Sequence, residues 1–292
     1  MPSTQHCDKL VILDQIKTIP LHSYTIAMVN ETTLPPFTYR NKNQIVFYLK
    51  GDLLLRLIIE DIVKQFDGKK VLKGASYTFE KGKIYGLLGR NGAGKTTLFN
   101  CLSGEMAMDG GNVLLEENGQ VRELREQDIG YVYSLPILPE FLTGYEFVKF
   151  FMDINRDKLR MDQSIDDYFD MMSMSEEDRH RLIKGYSHGM KNKLQMLLFL
   201  ITKPPVILLD EPLTSFDIIV ASEMKEMLRE MKQDHILVFS THILQLASDL
   251  CDELVMLNNG LLSSVPTELL HSAEFEQNII NLLKVDSYAE NT

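Results

Sequence analysis

Between Ile84 and Phe99 the chain reads I-Y-G-L-L-G-R-N-G-A-G-K-T-T-L-F, and no other stretch restricts the fold as strongly. Gly89 to Thr96 spell G-x-x-x-x-G-K-T directly after a short apolar run, the pattern of a loop that closes around a polyphosphate. Backbone N–H groups can ring an anion only where the chain curls tightly, so Gly89, Gly92 and Gly94 are expected in conformations closed to side chains. Arg90, Asn91, Ala93 and Thr97 complete this cradle. Lys95 would reach the terminal phosphates and the Thr96 hydroxyl would ligate Mg²⁺. The helix starting at Lys95 adds its positive dipole end.

At 292 residues and 45% hydrophobic the chain can bury a large core, which suggests one main domain with additions. A formal net charge of −11 without clustered Lys and Arg argues against a dedicated DNA or RNA binder, so no nucleic-acid partner is expected. Cys7, Cys101 and Cys251 are far apart and lack metal-ligand spacing, which points to packing roles in a reducing compartment. The longest apolar run, Leu194 to Ile201, is too short to cross a bilayer. With Asp8 and Asp14 near the N-terminus and no signal pattern, the expected location is the cytoplasm.

Residues 1–52 show no sustained period, contain Pro20, Pro35 and Pro36 and have one strand-like run, Ile45 to Leu49; they form an N-terminal extension of unassigned role. A single domain is expected over 53–265. It opens with L-I-I-E-D-I-V, the turn F-D-G-K-K and S-Y-T-F. Val113 to Leu115, the Asn118-Gly119 turn and Ile129 to Tyr133 then suggest an antiparallel side sheet. Thr143 with Glu146, Ser164 with Asp167 and Ser175 with Asp178 read as helix starts, giving a small helical subdomain at about 135–185. V-I-L-L (Val206 to Leu209) and I-L-V-F (Ile236 to Phe239) are continuous apolar runs of the kind found in parallel strands buried on both faces. A strand, the Asn258-Asn259-Gly260 turn and a strand close the domain, and 266–292 should hold a C-terminal helix and tail. The expected fold class is α/β with a mostly parallel core sheet.

Asp210 and Glu211 follow the V-I-L-L strand, at the end of a parallel strand where open sheets place ligands. Beside a phosphate loop, Asp210 suits Mg²⁺ held through water. Glu211 suits orienting or deprotonating an attacking water.

Tyr186 to Met190, Y-S-H-G-M, opens the helix that begins near Lys191, and at this point the chain resembles the ATP-binding cassette family, the P-loop ATPases of ABC transporters. The resemblance covers about Ile58 to Val265 in motif order as well as content. It implies ATP and Mg²⁺ as ligands and a signature, typically L-S-G-G-Q, that contacts the γ-phosphate of nucleotide held on a second ATPase subunit, in a homo- or heterodimer. Ser187 and Gly189 match that signature, whereas Tyr186, His188 and Met190 depart from it. By the same resemblance Phe66 stacks on adenine, Asp217 belongs to the D-loop, and His242 contacts γ-phosphate and positions Glu211. Ser134 stands where many members carry the Q-loop glutamine, a shorter side chain that suggests slower turnover or altered coupling.

The function this resemblance implies is a cytoplasmic ATPase peripheral to the membrane, driving a separately encoded permease. The motif spelling is similar to the branch that exports, or protects against, drugs, lantibiotics and antibiotic peptides. The alternatives are a soluble member acting on ribosomes or nucleic acid and a low-turnover regulatory subunit. The proline-broken stretch Leu135 to Leu142 is expected to show apolar side chains to a partner, with Phe141 the residue most expected to be buried.

Overall fold

A computed structural model describes residues 17–21, 24–28, 40–41, 44–45, 54–156, 163–212, 218–270, 272 and 274–285. The chain divides into two compact units, Met1–Leu54 with Glu117–Gly119, and Leu55–Glu116 with Gln120–Thr292. The first contains the antiparallel pair β1 (Lys17–Leu21) and β2 (Tyr24–Met28) and a second pair, β3 (Arg40–Asn41) and β4 (Gln44–Ile45). Most of the strand-like run Ile45 to Leu49 lies outside the described residues.

The larger unit begins with a long hairpin, β5 (Leu55–Phe66) and β6 (Lys69–Glu80). Asp67 and Gly68 both have positive φ, 47° and 81°, as a two-residue turn matched to strand twist requires. β7 (Ile84–Leu88) leads through the glycine-rich loop into α1 (Lys95–Leu102). Then follow β8 (Gly110–Glu117) and β9 (Gln120–Glu123), joined by Asn118-Gly119, and β10 (Ile129–Val132). α2 (Gly144–Ile154), α3 (Ile165–Met171), α4 (Glu176–His180) and α5 (His188–Thr202) form the helical part. The chain returns to the sheet with β11 (Val206–Asp210), α6 (Ile218–Met231), β12 (Ile236–Ser240), α7 (Leu244–Leu250), β13 (Glu253–Asn258) and β14 (Leu261–Val265). It ends in α8 (Thr267–Leu270) and α9 (Phe275–Val285).

The central sheet has the order β10-β11-β12-β7-β13-β14, with every neighbouring pair parallel except β13 and β14. All residues of β7, β11 and β12 are buried, because both faces of these strands are covered. Alternate side chains feed two cores: Ile84, Leu88, Ile207, Leu209, Leu237 and Phe239 point to one, and Tyr85, Leu87, Val206, Leu208, Ile236 and Val238 to the other. The side sheet has the order β6-β5-β8-β9.

Ile129–Val132 corrects the sequence expectation. It belongs to the central sheet, parallel to β11 with Ile129 opposite Val206 and Val132 opposite Leu209. The Asn118-Gly119 turn closes only β8 on β9, and α2 to α5 supply the long crossover that parallel pairing needs. At Gly130 a Cβ would lie 2.7 Å from the Phe199 ring, so glycine lets α5 settle onto this edge.

The helix starts are built as their capping residues suggest. Thr143 Oγ1 accepts from Glu146 N at 3.1 Å while Glu146 accepts from Thr143 N at 2.9 Å, and Ser164 and Asp167 repeat the exchange. Ser175 Oγ accepts from Asp178 N. Between β10 and α2 the prolines leave Leu135–Leu142 without helix or strand. Phe141 contradicts its expected burial: it is 79% exposed, beside Leu135 and Ile137 at 75% and 78%. Leu138 and Leu142 are the members of this stretch that pack against the core. Among the described residues no helix is long and apolar enough to cross a membrane.

Candidate active site

The loop after β7 curls through two left-handed glycines, Gly92 at φ 81° and Gly94 at φ 105°. At Gly94 a Cβ would also meet Val71 Cγ1 at 2.7 Å, so conformation and space both demand glycine. Gly89 is a glycine for a different reason from the one its motif suggests. Its φ is not left-handed, but a Cβ there would sit 2.8 Å from the Leu257 carbonyl oxygen of β13. A curled backbone with an open space around Gly92 is a cradle that fits a phosphate.

Lys95, in the first turn of α1, is buried and folds back over the loop, its Nζ donating to Gly89 O at 2.9 Å and Arg90 O at 3.4 Å. Burial lowers its pKa, and the negative charge of Glu211 and Asp210 opposes that shift. The ammonium is thereby held over the cradle by two neutral carbonyls. An anionic oxygen there would compete with them as a charge-assisted acceptor. Arg90, Asn91 and Thr96 are exposed along the loop, and Ala93 and Thr97 are half-buried.

The parallel pairing of β11 with β12 aligns Asp210 with Ser240, and the site is built around that register. Asp210 is buried. Its Oδ2 accepts from Thr96 Oγ1 at 2.9 Å and its Oδ1 from Ser240 Oγ at 2.5 Å. One carboxylate therefore ties the phosphate loop to the neighbouring strand. Glu211, the next residue, adopts φ 51°, a left-handed conformation that costs a non-glycine residue about 1–2 kcal/mol. Its N–H is held by Ser240 O and Ser240 Oγ, both at 3.2 Å. This turn carries the Glu211 carboxylate to His242, whose Nδ1 lies 2.9 Å from Glu211 Oε1. His242 is itself presented by a short turn after β12, pinned by Thr241 N on Leu87 O and Ile243 N on Thr241 Oγ1.

Thr96, Asp210, Glu211 and His242 thus come together, and Ser240 links them although the sequence reading did not single it out. Ser240 is fully buried. The signal that could have found it is a small hydroxyl closing one buried parallel strand, I-L-V-F-S, beside another that closes in Asp-Glu. Hydroxyl and carboxylate oxygens are donors suited to a hard cation, so Thr96 and Asp210 fit Mg²⁺. Among the described residues no group of three or more His, Cys, Asp or Glu side chains could hold a metal. A cation here would complete its shell with phosphate and water, as Mg²⁺ commonly does.

Phe66, Ser187 and Gly189 take no part in the described side-chain hydrogen bonds of this network. Phe66 ends β5, is 42% exposed and has Lys64 Nζ 5.5 Å from its ring centre. Ser187 caps α5, its hydroxyl accepting from Met190 N at 3.2 Å, and Gly189 lies in the first turn. Among the described hydrogen bonds and ion pairs, none joins either residue to the phosphate loop. The departures around Ser187 have structural uses. Tyr186 is buried and donates to Asp178 O at 2.6 Å, in space that a Cβ on Gly144 would fill, and Met190 sulfur accepts from Arg181 at 3.0 Å. Asp217 lies outside the described residues. Ser134 is exposed two residues past the end of β10.

Comparison with known proteins agrees with this architecture. A family described as ABC transporter matches residues 72–214. The ABC transporter ATP-binding protein YxlF of Bacillus subtilis, itself uncharacterized, is 33% identical over 209 residues, covering 71% of this chain and 69% of its own length. The ABC transporter ATP-binding protein NatA of the same organism is 30% identical over 215 residues, covering 70% and 86%. The ATP-binding cassette MJ0796, solved as a dimer in a post-hydrolysis state with ADP and phosphate, superposes with a TM-score of 0.60 at 19% identity, over 72% of this chain and 99% of that one. That likeness shows the fold, while the relatives show the lineage. The chain belongs to the ATP-binding proteins of ABC transporters and is an ATPase of that family.

Proposed function

We propose that the chain binds Mg-ATP between the Gly89–Thr96 loop and the end of β11, hydrolyses it with Glu211 as general base, and works as half of a dimer that drives a separate membrane permease. The observation that carries this reading is the hydrogen-bonded series Thr96–Asp210–Ser240–Glu211–His242. It gathers two carboxylates, a hydroxyl and an imidazole beside the glycine-rich loop, which supports a base and a cation-binding pair there.

In this reading the loop N–H groups and the α1 N-terminus bind the β- and γ-phosphates, and Lys95 leaves the Gly89 and Arg90 carbonyls for a phosphate oxygen. Thr96 and Asp210 would hold Mg²⁺, and the cation, when bound, would supply neutralisation of charge developing on the phosphate oxygens. Glu211 takes a proton from water as the water oxygen bonds to the γ-phosphorus and the bond to the bridging oxygen of the β-phosphate breaks, leaving ADP and phosphate. The 2.9 Å contact with His242 Nδ1 fixes the Glu211 carboxylate. Ser134, where many family members carry a glutamine, has a shorter side chain, which favours slow turnover.

Ser187 and Gly189 would act across the dimer, presenting a hydroxyl and helix N–H groups to nucleotide on the opposite subunit. The exposed Leu135, Ile137 and Phe141 form an apolar loop surface suited to a short helix of the permease. Export of, or protection from, a drug or peptide is the transport class that the motif spelling favours. The test is Ser187→Arg, which should bind ATP and stay folded, with a thermal midpoint only a few °C lower through loss of the α5 cap (about 0.5–2 kcal/mol), but lose dimer formation and hydrolysis. Mixed with Lys95→Ala subunits it should recover one-site dimers. Normal hydrolysis by Ser187→Arg alone would contradict the composite site.

A further inference from the structure

The tip of the phosphate loop opens into a cleft of about 520 Å³, within the range of small-ligand sites. On the loop side it is lined by Arg90 to Ala93. Lys69 and Lys70 add positive charge, and the β13–β14 turn contributes Asn259. Its apolar lining comes from two distant parts of the sequence, Val71 on β6 and Leu283 in the last turns of α9. Phe66 is not among the lining residues.

Leu283 is held where it is by its own helix. Phe275 and Ile279 of α9 are buried and Leu282 and Leu283 pack against the same core, so α9 is anchored and Leu283 reaches the rim of the cleft from the edge of that contact. Basic side chains, the backbone of the loop, two aliphatic side chains and a side-chain amide in one cleft match a phosphate chain that carries a flat, apolar-faced ring. A nucleoside triphosphate has that form; inorganic phosphate does not.

We propose that Leu283 of the C-terminal helix contacts the base of the bound nucleotide opposite Val71, so that α9 is part of the nucleotide site and its last turns are ordered by a nucleoside and not by a bare polyphosphate. The inference rests on the reading of Gly89–Thr96 as the phosphate site, and the test separates the two. Calorimetry on the full chain would compare ATP with inorganic tripolyphosphate. Leu283→Ala should weaken ATP binding about fivefold, the loss of one partly buried aliphatic contact, and leave tripolyphosphate binding unchanged. Lys95→Ala should weaken both ligands. In the unmodified chain, amide exchange protection at 280–285 should rise with ATP and not with tripolyphosphate. Wild-type ATP affinity in Leu283→Ala, equal weakening of both ligands by that change, or equal protection by the two ligands would overturn the assignment while the phosphate site stands. Unchanged binding of both ligands by Lys95→Ala would remove the phosphate reading itself.

Discussion

Removing the Ser240 hydroxyl tests the hydrogen-bonded series at its buried midpoint. In Ser240→Ala, Asp210 Oδ1 loses its 2.5 Å donor, while Oδ2 keeps Thr96 and the Glu211 N–H keeps the Ser240 carbonyl at 3.2 Å. A hydrogen bond to a charged group contributes about 1.5–3 kcal/mol, and complete burial of Ser240 leaves no water to replace it, so the expected loss is about 2 kcal/mol. In a domain of this size that lowers the thermal midpoint by about 6 °C. Circular dichroism suits the measurement because the chain has no tryptophan. A double-mutant cycle assigns the cause: in an Asp210→Asn background the carboxylate is gone, so Ser240→Ala should cost at least 0.5 kcal/mol less, about the smallest coupling that contacting residues show. A loss below about 0.5 kcal/mol in the single variant, a typical surface effect, or full additivity in the cycle, would refute the reasoning.

Two further substitutions probe the surroundings. Glu211→Gly and Glu211→Ala both remove the side chain but differ at φ 51°. Avoiding left-handed strain of about 1–2 kcal/mol against a glycine entropy cost of about 0.5–1 should leave the glycine variant about 0.5–1 kcal/mol more stable in urea titrations; a more stable alanine variant would mean that Glu211 is not strained. His235 is buried with Nδ1 2.6 Å from Pro204 O, and burial lowers its pKa below the ordinary 6.5. Between that folded value and 6.5 the unfolded chain binds more protons, so stability is complete above about pH 7 and falls as pH drops through 6.5 toward the folded value. His235→Gln, which cannot titrate, should flatten the urea midpoint between pH 7 and 5, and an unchanged slope would assign the effect elsewhere.

What could be read from the residues followed from how local the physics is. Gly92 and Gly94 of the phosphate loop, the Asp67-Gly68, Asn118-Gly119 and Asn259-Gly260 turns and the three serine and threonine caps are each settled within a few residues, and all have the geometry their spelling requires. The buried strands β11 and β12 were legible because a short, fully apolar run has few other places to go. Contacts between distant residues were not legible. Ile129–Val132 alternates in a way that suits either sheet, and only the crossover through α2 to α5 places it beside β11. Gly89 is required by the Leu257 carbonyl, about 170 positions away in sequence, and not by its own φ. Phe141 looks like a core residue by type, yet the prolines hold its loop outside regular structure and leave it exposed. Ser240 gains its meaning from its register with Asp210, and register is a property of the assembled sheet.

The central claim is that Glu211 is the base for water attack and takes no part in holding the nucleotide. Glu211→Gln keeps the shape of the side chain and an oxygen for His242 but cannot accept the proton. The direct measurement is ATP affinity by calorimetry together with single-turnover release of phosphate, on the same preparation of that variant. Affinity should stay within about twofold of the unmodified chain, since the loop, Lys95 and Thr96 are untouched, and hydrolysis should fall at least about a hundredfold, the lower end of what a positioned general base contributes. Phosphate release at the unmodified rate, or loss of ATP binding with hydrolysis per bound nucleotide preserved, would contradict it.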